Sequence, residues 1–117
     1  MVNRVDSGPS RRHDEPMQTL PETFDGRADQ RGYQFKQIKR TGLVALFEKR
    51  NPDHPPGTLP AYEVVIVRKV AERRFPNGIV TPAHESMPSP EEWGTSGWSP
   101  ATLEAAHTRF NALVASR

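Results

Sequence analysis

Histidines and carboxylates are the residues of this chain whose types suit acid–base or metal chemistry. The histidines are His13, His54, His84 and His107. Glu85 follows one of them directly, but the Pro-Ala-His-Glu run lacks the second histidine of a helical zinc motif. His107 has the spacing of a residue beside a helical core. The spacing therefore predicts no catalytic set and no metal site, unless the fold brings His54, His84 and Glu85 into one pocket.

Motifs for a cofactor or a covalent mechanism are missing from the sequence as well. The Gly-Thr-Ser-Gly segment 94–97 has neither a strand before it nor the lysine of a phosphate-binding loop. The chain contains no cysteine, which excludes disulfides, thiolate metal sites and a cysteine nucleophile. We therefore expect no bound cofactor and no enzymatic activity.

Basic residues cluster where the third predicted strand ends. They are Arg68, Lys69, Arg73 and Arg74. Such a cluster would contact the phosphates of a nucleic acid without reading its sequence. In the alternative interpretation, the charges protect exposed strand edges from pairing with other chains.

Two tryptophans, Trp93 and Trp98, flank the 94–97 segment. Tryptophan combines a large apolar surface with a hydrogen-bond donor. The rings either hold this loop on the core or form a surface that stacks on bases or binds a peptide. Together with the basic cluster they make up the predicted binding surface, which consists of Trp93, Trp98, Arg68, Lys69, Arg73 and Arg74.

Hydrophobic patterning predicts the elements that position these residues. Tyr33 and Phe35 alternate with polar residues, as in a half-buried strand, and residues 43–47 form a second strand after a turn. Residues 61–71 carry apolar side chains at alternating and intervening positions, which predicts a third strand that is apolar on both faces. A turn at 75–78 and a short fourth strand at 79–81 follow.

The last predicted element is a helix. Ser99 suits the N-cap and Pro100 the first helical position. Leu103, Phe110 and Leu113 fall on one stripe and should anchor the helix on the sheet. The predicted fold is α+β, an antiparallel meander of three to four strands with the C-terminal helix packed on one face.

Length and composition predict a single domain. The chain has 117 residues, 12 of them proline, and 34% are apolar. Residues 1–31 contain too few apolar side chains to offset the entropy of ordering, so we predict a disordered arm at 1–31 and one small domain at 32–117. No apolar run suits a bilayer span or a secretory signal, so we expect a cytoplasmic protein with no membrane contact.

Several short motifs between residues 33 and 114 resemble those of small uncharacterised proteins of bacteria and phages. Those proteins share a Tyr-Glu-Val strand, an acidic-proline loop, paired Trp-Gly and Gly-Trp dipeptides and a terminal helix. The matching residues here are Tyr62-Glu63-Val64, Glu85, Trp93-Gly94, Gly97-Trp98, Leu103 and Phe110. This resemblance implies no activity, since such proteins generally have none assigned.

A more distant resemblance is to the WGR domain, a nucleic-acid-binding module of poly(ADP-ribose) polymerases. There a sheet leads to a Trp-Gly-Arg turn and then to a helix. Trp93-Gly94 matches this pattern, whereas Thr95 replaces the arginine, and the strand that should follow the turn is missing. The likeness implies contact with nucleic acid.

The sequence thus predicts a non-enzymatic binding or accessory protein of bacterial or phage type that acts through a protein-interaction surface, with self-association as one form. The alternative is a nucleic-acid-binding module that uses the basic strand ends and the tryptophan loop. Salt should weaken binding of the second kind steeply, whereas binding of the first kind should depend on the aromatic side chains.

Overall fold

A computed structural model of the chain describes residues 17–117. Its strands are β1 (Thr23–Asp25), β2 (Gln34–Thr41), β3 (Val44–Arg50), β4 (Ala61–Ile66), β5 (Arg68–Val70), β6 (Arg73–Arg74), β7 (Val80–Thr81), β8 (His84–Ser86) and β9 (Gly97–Trp98). Helix α1 comprises Leu103–Ala115, and 3₁₀ turns occupy Ala28–Gln30 and Pro90–Glu92. The α+β prediction is confirmed.

The described residues divide into two units. The larger unit comprises Pro21–Arg68 and Met87–Arg117, and it contains the main sheet and the helix. The smaller unit comprises residues 17–20 and Lys69–Ser86. It contains two short strand pairs, β5 with β8 and β6 with β7, except for Arg68 at the start of β5.

The main sheet has five antiparallel strands in the order β1-β2-β3-β4-β9. The predicted hairpin of β2 and β3 is present, and Thr41 pairs with Val44 across a two-residue loop. Gly42 has a φ of +60° at the first loop position, as a type II′ turn requires. The local turn chemistry therefore sets the register of this hairpin.

One face of the main sheet is covered by the helix. Val44, Leu46 and Val64 of the central strands pack with Ala106 and Phe110 of α1, and all five are buried. The apolar stripe was therefore predicted correctly in the middle of the helix. The prediction that Leu103 anchors the start of the helix on the sheet is wrong, because its side chain remains 40% exposed.

The N-cap of the helix also differs from the prediction. The hydroxyl of Thr102 accepts a hydrogen bond from the backbone N–H of Ala105 at 3.0 Å, so Thr102 is the N-cap. Ser99 and Pro100 lie ahead of the helix, since Ser99 bonds across the sheet instead. Both threonine and serine cap helices well, and in this structure the hydroxyl of Ser99 is engaged with Glu63 instead.

The other face of the main sheet carries an aromatic cluster. Phe24 of β1 stacks on Phe35 at a centroid distance of 5.0 Å and meets Phe47 edge-on at 5.4 Å. Phe35 and Phe47 are buried. These ring contacts and the pairing of β1 with β2 place a strand of the main sheet inside the range that was predicted as an arm, and the arm itself stays a prediction. Residues 1–16 lie outside the described residues.

The third predicted strand is shorter than expected. It ends at Ile66, and buried Val67 donates its N–H to the carbonyl of Leu43 at 2.7 Å. The chain then enters β5, which pairs with β8. The short strand predicted at 79–81 is present as β7, but it pairs with β6 and does not extend the main sheet. Instead, β1 and β9 provide the two edges of that sheet.

In the part of the chain that the structure describes, no helix is long and apolar enough to cross a membrane.

Candidate functional site

The two tryptophans lie on opposite faces of the main sheet. Trp98 pairs with Val64, which belongs to the helix-covered core, and Gly97 pairs with Val65. Side chains alternate between faces along a strand, so the Gly97 position faces away from the helix. The ring of Trp93 lies directly over that position. The two rings therefore do not form one surface.

Trp98 is engaged on the helix side of the sheet. The guanidinium carbon of Arg109, on α1, lies 4.9 Å from the centroid of a Trp98 ring. This cation–π contact links the last strand of the sheet to the helix. The half-buried ring thus has a structural contact within the larger unit.

Trp93 is engaged on the opposite side, in a chain of hydrogen bonds that ends in the sheet. Its indole N–H donates to Oγ of Ser99 at 2.9 Å, and Ser99 donates to Oε2 of Glu63 at 2.8 Å. Glu63 stands in the middle of β4 and is only 3% exposed. This series of hydrogen bonds connects the tryptophan loop, residues 93–98, to a buried carboxylate.

Lys49 of β3 provides the opposite charge for Glu63. Its Nζ lies 3.4 Å from Oε2 of Glu63 and donates to Oε1 of Gln30 at 2.6 Å. The same ammonium lies 4.7 Å from the ring centroid of Tyr33. The buried charge is therefore paired and hydrogen-bonded, which is the condition for tolerating it in a core.

Burial raises the pKa of the Glu63 carboxyl above its usual range, and the Ser99 hydrogen bond and the Lys49 charge oppose that rise. A buried carboxylate with a raised pKa is a feature of many acid–base sites. Here its hydrogen-bonding partners are structural groups of the same unit. The contacts are those of an internal polar network.

The four basic residues of the predicted surface are divided between the two units. Arg68 belongs to the larger unit and pairs with Glu92, with 3.6 Å between Nη1 and Oε1. A hydrogen bond from the backbone N–H of Ser89 lowers the pKa of Glu92, which favours the charged partner. Lys69, Arg73 and Arg74 belong to the smaller unit.

The hairpin of β6 and β7 places a mixed set of side chains at its tip. The turn predicted at 75–78 is present, since Gly78 donates its N–H to Phe75 O at 2.9 Å and has a φ of +88°. Phe75 also donates its N–H to Ile79 O at 2.9 Å. This is the three-residue hairpin loop in which a turn is followed by a left-handed glycine.

The register of this hairpin determines which side chains share a face. Arg73 pairs with Thr81 and Arg74 with Val80, so Phe75 and Ile79 are the next facing residues toward the turn. By alternation, Arg73, Phe75 and Ile79 lie on one side, which we name the hairpin face. Arg74 lies on the other side and pairs with Glu72, with 3.3 Å between Nε and Oε2.

The hairpin face is exposed to solvent. Phe75 is 38% exposed and Ile79 is 58% exposed. The guanidinium carbon of Arg73 lies 5.1 Å from the ring centroid of Phe75. Arginine and aromatic side chains are enriched at protein–protein interfaces, and the exposed side chain of Ile79 adds apolar surface beside them.

The histidines within residues 17–117 are divided between the units, and His13 lies outside that range. His54 meets the edge of the Tyr33 ring at 6.1 Å in the larger unit. In the smaller unit, Nδ1 of His84 lies 2.9 Å from Pro82 O, and Glu85 accepts the backbone N–H of Leu20 at 2.9 Å. Among the residues that the structure describes, no group of three or more histidine and carboxylate side chains is placed to hold a metal ion.

Sequence reasoning missed two features of the structure. It assigned no partner to Glu63, although a lone carboxylate within a strand that is apolar on both faces signals a buried polar group. It also interpreted 75–78 as a turn only. The large apolar residues that flank this turn, Phe75 and Ile79, were the available signal for an exposed tip.

Comparison of the chain with protein-family models, with curated proteins and with solved structures finds no match. The resemblances to small bacterial and phage proteins and to the WGR domain therefore stay predictions, and function has to be inferred from the geometry.

Proposed function

We propose that this chain is a non-enzymatic binding protein that acts through a protein-interaction surface, and that the hairpin face is that surface. The observation that carries the proposal is the exposure of Phe75 and Ile79 beside Arg73. The tryptophans are a poorer choice, because each has a contact within the larger unit and the two lie on opposite faces.

The alternative function is nucleic-acid binding through the basic strand ends. A duplex binder needs several cations that remain available to phosphates. Two of the four basic residues already have acidic partners, Arg68 with Glu92 and Arg74 with Glu72. These ion pairs favour a protein partner over a nucleic acid.

Site-specific photo-crosslinking in cells tests the proposal. A photo-reactive amino acid replaces Pro76, in the exposed turn of the hairpin, and in a control protein it replaces Asp53, an exposed loop residue of the larger unit. We expect protein adducts from position 76 that are missing from position 53. Adding Ile79→Ser should abolish them without unfolding the chain, because Ile79 is largely exposed.

Two results would contradict the proposal. Adducts that disappear on nuclease treatment would favour the nucleic-acid alternative. The same set of protein adducts from positions 76 and 53 would mean that crosslinking reports only random encounters.

A further inference from the structure

The chemistry of the hairpin face also points to the kind of partner it binds. Its charged member is Arg73, whose guanidinium lies over the Phe75 ring, while the acidic Glu72 pairs with Arg74 on the other side. The planar guanidinium of an arginine presents N–H donors in a fork, which suits a carboxylate that accepts two hydrogen bonds.

The apolar members of the face lie directly beside this cation. Phe75 and Ile79 are joined by a backbone hydrogen bond across the hairpin and share its exposed side. A partner that covered the face would have to bury apolar side chains on them and bring a negative charge to Arg73. A nucleic acid has the charge but lacks the aliphatic groups.

Resting on the proposed function, we infer that the hairpin face binds an acidic segment of a partner protein in which carboxylates and aliphatic side chains alternate. One carboxylate pairs with Arg73, and an aliphatic side chain packs on Phe75 and Ile79. Such a segment would use both the charge of the face and its apolar pair.

Amide NMR titration of the full chain tests this inference. The probe is an eight-residue peptide of alternating glutamate and leucine. In one control peptide lysine replaces glutamate, and in another serine replaces leucine. We expect shifts confined to residues 73–81 with the glutamate–leucine peptide, much weaker shifts with the serine control, and none with the lysine control.

Two variants separate the charge on this face from the general charge of the hairpin. Arg73→Ala should weaken binding about tenfold or more, as loss of a charge-assisted hydrogen bond does. Arg74→Ala removes the same charge from the opposite side and should leave the affinity unchanged.

The remaining outcomes overturn the inference. Three of them concern the acidic peptide: the lysine peptide binds equally well, the glutamate–leucine peptide does not bind, or Arg73→Ala binds it as tightly as the wild type does. A fourth is that single-stranded DNA causes the same shifts. A fifth is that the shifts depend on protein concentration alone, as in self-association. If crosslinks still form through position 76, each of the first three outcomes contradicts the inference of an acidic partner but not the proposed function.

Discussion

The indole ring of Trp93 occupies the space that a side chain at Gly97 would need. A Cβ at Gly97 would lie 2.6 Å from Cζ3 of Trp93 and 2.7 Å from Cε3. The absence of a side chain at one residue of β9 therefore allows the tryptophan loop to close over the sheet. In that position the Trp93 ring reaches Ser99 and, through it, Glu63.

Gly97→Ala should destabilise the protein by about 1–3 kcal/mol, the usual cost of overpacking a filled site. Urea unfolding measures this cost. In a Trp93→Ala background the ring is gone, so the added cost of Gly97→Ala should fall to near zero. An equal cost in both backgrounds would show that the ring does not limit the site.

Glu63 should give the stability of the protein a distinctive pH dependence. Its pKa is raised in the folded state, so its contribution is fully present below the pKa of the unfolded chain and is lost as pH rises through the folded-state pKa. The free energy of unfolding of the wild type, minus that of Glu63→Gln, should therefore decrease from about pH 4 upward.

Urea unfolding of both proteins at several pH values measures that difference. The glutamine variant keeps the shape of the side chain and a hydrogen-bond acceptor for Ser99, and it does not titrate. A difference that stays constant, or that grows as pH rises, would contradict the raised pKa.

Phe110 rather than Leu103 should decide whether the helix packs. Phe110 is buried in the core cluster, so Phe110→Ala should cost about 3–5 kcal/mol of unfolding free energy. Leu103 is partly exposed, so Leu103→Ala should cost less than about 1 kcal/mol. Thermal or urea unfolding distinguishes the two, and comparable costs would place Leu103 in the core after all.

The cap of α1 should depend on Thr102. Its hydroxyl accepts the N–H of Ala105, so Thr102→Ala should cost about 0.5–2 kcal/mol of unfolding free energy in a urea titration. Thr108, an exposed residue in the middle of the same helix, is the matched control. Thr108→Ala should leave the unfolding free energy unchanged or raise it slightly, because alanine has the higher helix propensity. A loss at Thr102 no larger than that at Thr108 would show that the cap does not stabilise the helix.

Much of the fold could be predicted because its signals are local. Alternation at Tyr33 and Phe35, Gly42 at the hairpin turn and the apolar stripe through Phe110 are each readable within a few residues. Turn geometry and side-chain periodicity depend on neighbours in sequence, so the β2–β3 hairpin, the turn at 75–78 and the body of the helix were predicted correctly.

The candidate site was less predictable, because it depends on residues far apart in sequence. Strand β9 has two residues and no pattern of its own, and its pairing with Val64 and Val65 sends the two tryptophans to opposite faces. The hydrogen bond between Ser99 and Glu63 spans 36 positions and removes Ser99 from the helix cap.

By itself, the sequence determined the α+β class, the main hairpin and the helix, since hydrophobic periodicity and glycine positions act locally. Only the tertiary structure decided that β1 joins the sheet through Phe24, that Glu63 is buried with Lys49, and that Arg73, Phe75 and Ile79 share an exposed face. These three features depend on strand register and on which side chains are buried against one another. Neither can be predicted from residues that are neighbours in sequence.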